Sequence, residues 1–153
     1  MNKLKIITIG KLKNQSLKYE IEDLKKRISK LEIIELKEIK QSNENLLKKK
    51  EYELIKPYIQ GQEQNTFLLC EYGKQYTTFE FNDELKKLSQ NNNGQTIQFV
   101  ICGAFGPDEQ LKIQLTKKLS LSKMIFTHEQ ALYMLVEQIY RHYCFDKNIP
   151  YTK

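Results

Sequence analysis

Short apolar runs with the alternation of β-strands are separated, all along this chain, by stretches with the three-to-four-residue spacing of amphipathic helices. That order constrains the fold more than any other feature. A strand–helix–strand succession calls for crossover connections and therefore a largely parallel sheet. Residues 3–9 read as the first strand, ending at Gly10. Ser16 is the predicted cap of a helix whose apolar face is Leu17, Ile21, Leu24 and Ile28. Residues 31–36 predict a second strand, and a Lys/Glu-rich helix follows over 44–58, with Leu47, Leu54, Ile55 and Tyr58 inward and Pro57 near its end. After a polar break at 61–65, residues 66–70 predict a third strand, Gly73 a turn, and 79–90 a helix with Phe81, Leu85 and Leu88 inward. The loop at 91–94 precedes a strand over 96–102, which opens into Gly103, Ala104, Phe105 and Gly106. Pro107 fits a first helical position, with Asp108 and Glu109 at the positive end of a helix carrying Leu111, Leu115 and Leu119. A last short strand is read at 122–126. Thr127 and Gln130 then predict a capping box for a helix with Leu132, Leu135, Val136, Ile139 and Tyr143 along one face. The pattern implies an α/β fold, a mostly parallel sheet with helices on both faces.

At 153 residues the chain is the length of a single domain, 1–153, with one core. No apolar run approaches the roughly 20 residues that span a bilayer, so no membrane association is expected. Cys70, Cys102 and Cys144 are an odd number with neither a disulfide framework nor metal spacing, which fits a reducing cytoplasm. Charge is unevenly spread. Residues 1–60 hold fifteen Lys/Arg against nine Asp/Glu, a net +6, while residues 61–153 hold ten against ten. A basic first part favours a polyanionic partner through phosphate contacts, although Lys-rich helices also serve simply to keep a small protein soluble.

Ligands of open α/β sheets bind beyond the carboxyl ends of strands. Here those ends are the Gly-containing loop at 102–106 and the segment around 121–126. Gly103 and Gly106 let backbone approach a ligand, but they equally suit a tight turn; the third glycine of a dinucleotide fingerprint and the Gly-Lys-Ser/Thr of a phosphate loop are missing. His128 opens the last helix and could touch a ligand or simply bond at the helix end. Glu137, Tyr140 and Arg141 can form a polar strip on that helix, or only surface charge. His142 has no acidic or cysteine partner at ligand spacing, so no metal site is expected. No Gly-x-Ser-x-Gly elbow is present, which removes support for acyl-transfer hydrolysis.

Six segments carry a further signal: Gly10 to Lys13, Gly73-Lys74, Phe99 to Gly106, Leu119 to Met124, Glu137 to Arg141, and the final Pro150-Tyr151-Thr152-Lys153. In this order and spacing they resemble the RlmH family of SPOUT-class methyltransferases, over the whole chain. The resemblance implies a C-terminal trefoil knot and a homodimer. It also implies methylation of N3 of a pseudouridine in helix 69 of large-subunit ribosomal RNA, on assembled ribosomes, from S-adenosylmethionine. Cofactor contacts carried over from the family fall at Leu69, Cys102, Gly103, Leu121, Ser122, Lys123, Met124, Ile125 and Phe126. His128, Arg141, Tyr151 and Lys153 match positions near the cofactor and target base. Three positions depart from the family pattern: Cys102 stands for a glycine, Leu132 for an arginine and Thr152 for a tail histidine. Threonine cannot serve as a base near neutral pH, so the alternative is a ribosome-binding protein that keeps the fold with weakened or lost catalysis.

Overall fold

The computed structural model describes residues 1–151. Five strands, β1 (Leu4–Ile9), β2 (Leu31–Leu36), β3 (Thr66–Gln75), β4 (Ile97–Ile101) and β5 (Lys117–Ser120), form one sheet in the order β2-β1-β4-β3-β5. Every neighbouring pair is parallel. The helices are α1 (Gln15–Arg27), α2 (Glu44–Ile59), α3 (Thr78–Asn91), α4 (Glu109–Gln114) and α5 (His128–Asp146).

Strand alternation divides the core in two. Leu4 and Ile6 of β1 and Ile97, Phe99 and Ile101 of β4 turn to one face, where α1, α3 and α5 bury Ile21, Leu24, Phe81, Leu85, Leu132, Leu135, Val136 and Ile139 against them. Ile7, Ile9, Leu68 and Val100 point the other way, onto Tyr52, Ile55 and Ile59 of α2 and Leu111 of α4. Both faces are covered, as the near-continuous apolar strands require.

Several local expectations are corrected. The cap of α1 is Asn14, whose side chain accepts from the Leu17 N–H at 3.1 Å, rather than Ser16. Asp108 caps α4, so Pro107 stands before the helix and not at its first position, and α4 ends at Gln114, so Leu115 and Leu119 lie beyond it. Leu119 instead belongs to β5, because pairing 117–120 with β3 buries it on the sheet. Residues 122–126 are therefore not a strand. Ser122 Oγ accepts from the Met124 N–H at 3.0 Å, a local bond that competes with a strand ladder. Gly73 is not a turn residue either: β3 continues through it, with both Leu69 and Lys74 registered on Leu119 across an irregularity. A Cβ at Gly73 would lie 2.8 Å from the Lys118 backbone, so glycine here permits close approach of two chains. In α2 the inward face includes Glu51 and Tyr52, while Leu47, Leu54 and Tyr58 are half-buried. Tyr143 is likewise only partly buried on α5.

Candidate active site

The carboxyl ends of β1, β3 and β4 open on a common rim. The chain passes from β1 outward to β2 and returns to β3 and β4 on its other side, which is the arrangement that leaves a crevice above the strand ends. Three segments build a cleft of about 690 Å³ there: the middle of β3 at Leu69–Glu71, the 101–107 turn after β4, and the 121–128 connection from β5 into α5. That volume is within the ordinary range for small-molecule sites.

The irregular 121–127 path has identifiable local causes. Ser120 Oγ lies 3.0 Å from the Glu71 carbonyl oxygen and 2.9 Å from that of Ser122, tying the end of β5 to β3. Thr127 then starts α5 with the expected capping box, accepting from the Gln130 N–H at 3.1 Å while Gln130 Oε1 accepts from the Thr127 N–H at 3.0 Å. Between these anchors Met124 and Ile125 stand 77% and 81% exposed. Large apolar side chains this open, beside a cleft, are where a ligand or partner surface gains most from burial.

The cleft gathers Leu69, Cys102, Gly103, Leu121, Ser122, Met124, Ile125, Phe126 and His128. Lys123 is exposed and does not line it. The Cys102 thiol is pushed well above the usual thiol range by burial, with the Glu51 carboxylate adding to the shift, so it is no thiolate nucleophile at neutral pH. His128 sits over Gly10: a Cβ there would be 3.2 Å from the imidazole Nε2, and Gly10 has φ +93°. Its Nε2 is buried with no hydrogen-bond partner among the described residues.

Next to His128, the Glu129 carboxylate accepts from the backbone N–H groups of Lys13 and Asn14, at 2.5 and 2.9 Å. Those bonds, largest that from Asn14, hold its pKa below the usual carboxylate value. They bring the 10–14 loop, with exposed Lys11 and Lys13, to the rim of the cleft. Nothing in the spacing of the sequence pointed to this tie.

A second hollow of about 450 Å³ adjoins the first, sharing Leu119, Leu121 and Phe126 with it. Tyr151 and Glu137 line this hollow, with Tyr76, Thr77 and Gln138. Arg141 Nε donates to both carboxylate oxygens of Glu137, at 2.8 and 3.0 Å, and its Nη1 donates to the Tyr151 carbonyl at 3.3 Å. The guanidinium also lies 5.1 Å from the Tyr151 ring centroid, and Tyr140 meets that ring edge-on at 4.8 Å. The polar strip on α5 is thus a Glu137–Arg141 pair one turn apart, holding the C-terminal segment. Bonding to Glu137 keeps Arg141 protonated, raising its already high pKa. Arg141 and Tyr151 come together here, one hollow away from His128; Lys153 and Thr152 lie outside the described residues.

Two groups escaped the sequence pattern: Glu51 beneath Gly103, and Glu129. Among the described residues no three His, Cys, Asp or Glu side chains gather as a metal ion needs, and no helix is long and apolar enough to cross a membrane.

Comparison with known proteins gives the family. A family model described as "Predicted SPOUT methyltransferase" matches residues 2–152. The chain belongs to the SPOUT methyltransferases. It is 38% identical to the ribosomal RNA large subunit methyltransferase H of Flavobacterium johnsoniae, across 97% of each chain. The protein of the same name from Clostridium botulinum strain Kyoto is 37% identical, over 98% of this chain and 99% of its own. These matches place it in the RlmH family of that class, as its motifs indicate, and the parallel α/β sheet is the fold expected of a member.

Proposed function

We propose that this chain transfers the methyl group of S-adenosylmethionine to N3 of a pseudouridine in helix 69 of large-subunit ribosomal RNA. It would act in the cytoplasm, on assembled ribosomes and as a homodimer with the family's trefoil knot. The observation that carries the reading is the convergence of the 102–106 loop and the 121–127 segment on one cleft at the sheet's carboxyl rim, in a member of this methyltransferase family.

The residues present fit the cofactor. The cleft is floored by apolar side chains, walled by irregular backbone, and holds the orphaned imidazole nitrogen of His128. Leu69, Cys102 and Gly103 would form one wall, and Leu121, Ser122, Met124, Ile125 and Phe126 the other. Lys123, exposed at the same turn, would reach outward to phosphate rather than inward. When bound, the cofactor supplies an electrophilic methyl group on a sulfonium sulfur. The protein's part is to align donor and acceptor in line and to keep water out, which Met124 and Ile125 can do by folding over the cleft.

The acceptor N3 must give up a proton, and the resulting imide anion needs stabilisation. Arg141 is charged and fixed by Glu137 and Tyr151, so its guanidinium N–H groups that are unengaged among the described residues can face that anion. Lys153 would add a second positive charge from the tail, with Tyr151 as its anchor. His128, whose Nε2 has no partner among the described residues, faces the cleft beside them.

The test is methylation of ribosomes that lack this modification. Purified protein and S-adenosylmethionine should place one methyl group on the pseudouridine of the helix 69 fragment, read by mass spectrometry. Ribosome binding with no methyl transfer at saturating cofactor would overturn the catalytic reading and favour a binding protein.

A further inference from the structure

Glu51 is 5% exposed, yet none of the ion pairs among the described residues involves it. A buried carboxylate without a cation is costly unless its oxygens are bonded. α2 leaves it little freedom. Tyr52, Ile55 and Ile59 anchor that helix in the core, and Tyr52 Oη donates to Gln114 Oε1 of α4 at 2.6 Å. The Glu51 side chain is thereby directed at the loop after β4, where its carboxylate packs against Gly103 and the Gly103 N–H favours its charged form.

The two glycines of that loop serve different ends. Gly106 has φ +79° and open space where a Cβ would stand, so its backbone conformation demands glycine. Gly103 is not in the left-handed region, and an L residue would fit its backbone. The three atoms nearest to a Cβ there would all belong to Glu51: Oε2 at 2.5 Å, Cδ and Oε1 at 3.2 Å. Between these residues the Gly106 N–H donates to the Gly103 carbonyl at 3.0 Å, so a contact that fixes Gly103 fixes the whole turn.

We infer that Glu51 is a positioning residue: its carboxylate pins Gly103, holds the 102–106 loop in the shape that receives the cofactor, and is the reason residue 103 is glycine. The inference rests on the reading of this cleft as the S-adenosylmethionine site. Burial pushes the Glu51 pKa up, and Glu38 adds to the rise, against the Gly103 N–H. Glu38 and the Cys102 thiol, itself high from burial, are the titratable groups that bear on it. Among the described residues no lysine or arginine offsets them.

Calorimetric titration with S-adenosylmethionine and amide NMR of the free protein test it together. Glu51→Ala should weaken binding roughly tenfold, as losing a bond to a carboxylate implies, and Glu51→Gln, which keeps an acceptor, should recover part of that. Gly103→Ala should weaken binding at least about tenfold by overpacking against Oε2. In the double variant Glu51→Ala/Gly103→Ala the clash is gone, so the combined loss should be well below the product of the single losses. In the free protein the Gly103 amide signal should titrate above the usual carboxylate range, and that titration should vanish in Glu51→Gln. Independent single losses, unchanged affinity in Glu51→Ala, or a Gly103 signal indifferent to Glu51→Gln would each overturn the inference while leaving the cofactor reading standing. Failure of the unmodified protein to bind S-adenosylmethionine would overturn the cofactor reading, and this inference with it.

Discussion

His142 lies 4% exposed between α5 and α3, its Nδ1 2.6 Å from Asn82 Oδ1. Burial lowers its pKa from 6.5 to about 4; the N-terminal amino group and Lys86 push the same way, and Asp146 opposes them. The folded protein therefore holds this imidazole neutral where the unfolded chain would already protonate it. Stability from this group is complete above pH 6.5 and is lost as the pH falls towards 4. A gap of about 2.5 pH units at about 1.4 kcal/mol each amounts to on the order of 3 kcal/mol. Urea denaturation at pH 7 and at pH near 4.5 should show this as a difference in slope between the native protein and His142→Gln, since the carboxylates titrate in both. Equal pH dependence of the two would mean that His142 is solvated or already charged in the fold. Burial separates the two histidines: His142 is a core residue tying α5 to α3, whereas His128 lines the cleft with a nitrogen that has no partner among the described residues.

At the level of elements, the 73–75 stretch of β3 is what brings β5 into line, because Lys74 and Gln75 resume the pairing with Leu119 and Ser120. A side chain at Gly73 would meet Lys118 and Leu119 backbone at 2.8 to 2.9 Å, and backbone cannot swing aside as a flexible side chain can. Gly73→Ala should destabilise the fold by about 2 kcal/mol, the scale of an overpacked interior site. It should also weaken cofactor binding, because β5 feeds the 121–127 wall through Ser120. Denaturant titration and calorimetry read the two effects, and a fully stable Gly73→Ala variant would refute the close approach. This element also marks where the sequence was legible and where it was not. Periodicity located β1, β2, β4 and the buried faces of α1, α3 and α5, because those segments bury one stripe or alternate across the sheet. It misplaced the last strand. Leu111, Leu115 and Leu119 keep a four-residue spacing that reads as one helix, yet tertiary pairing with β3 claims 117–120. Ser122–Met124 bonding then turns the apolar 122–126 run into a loop. The proposed cofactor wall was drawn from family motifs rather than periodicity. Glu51 and Glu129 escaped both, since a Glu on the Lys-rich α2 and a Glu in the first turn of α5 each look solvated until the packing of those helices is known.

Across the whole molecule, charge and topology divide in the same place. Residues 1–60, which carry the net +6, form β1, α1, β2 and α2, and so occupy the β2–β1 side of the sheet. The electroneutral remainder supplies β4, β3 and β5 and most of the cleft. Glu129 and His128 tie the 10–14 loop to the cleft rim, so the basic half ends where the ligand site begins. Its ion pairs, such as Lys3–Glu32 and Lys13–Glu38, are exposed and contribute little to stability, leaving those lysines available to phosphate. A protein so built should hold a ribosomal RNA substrate by its backbone charge and read the target base at the cleft. With about four phosphate contacts, affinity should fall roughly a hundredfold between ~50 and ~200 mM salt. Lys11→Glu, at the exposed tip of the rim loop, should lower ribosome affinity and flatten that salt dependence, while calorimetric affinity for S-adenosylmethionine stays within about twofold, as expected for a surface charge. An affinity that is flat in salt would place recognition in shape and apolar contact, through Met124 and Ile125. A Lys11→Glu variant that binds ribosomes as the native protein does would move the phosphate contacts away from the β1–α1 loop.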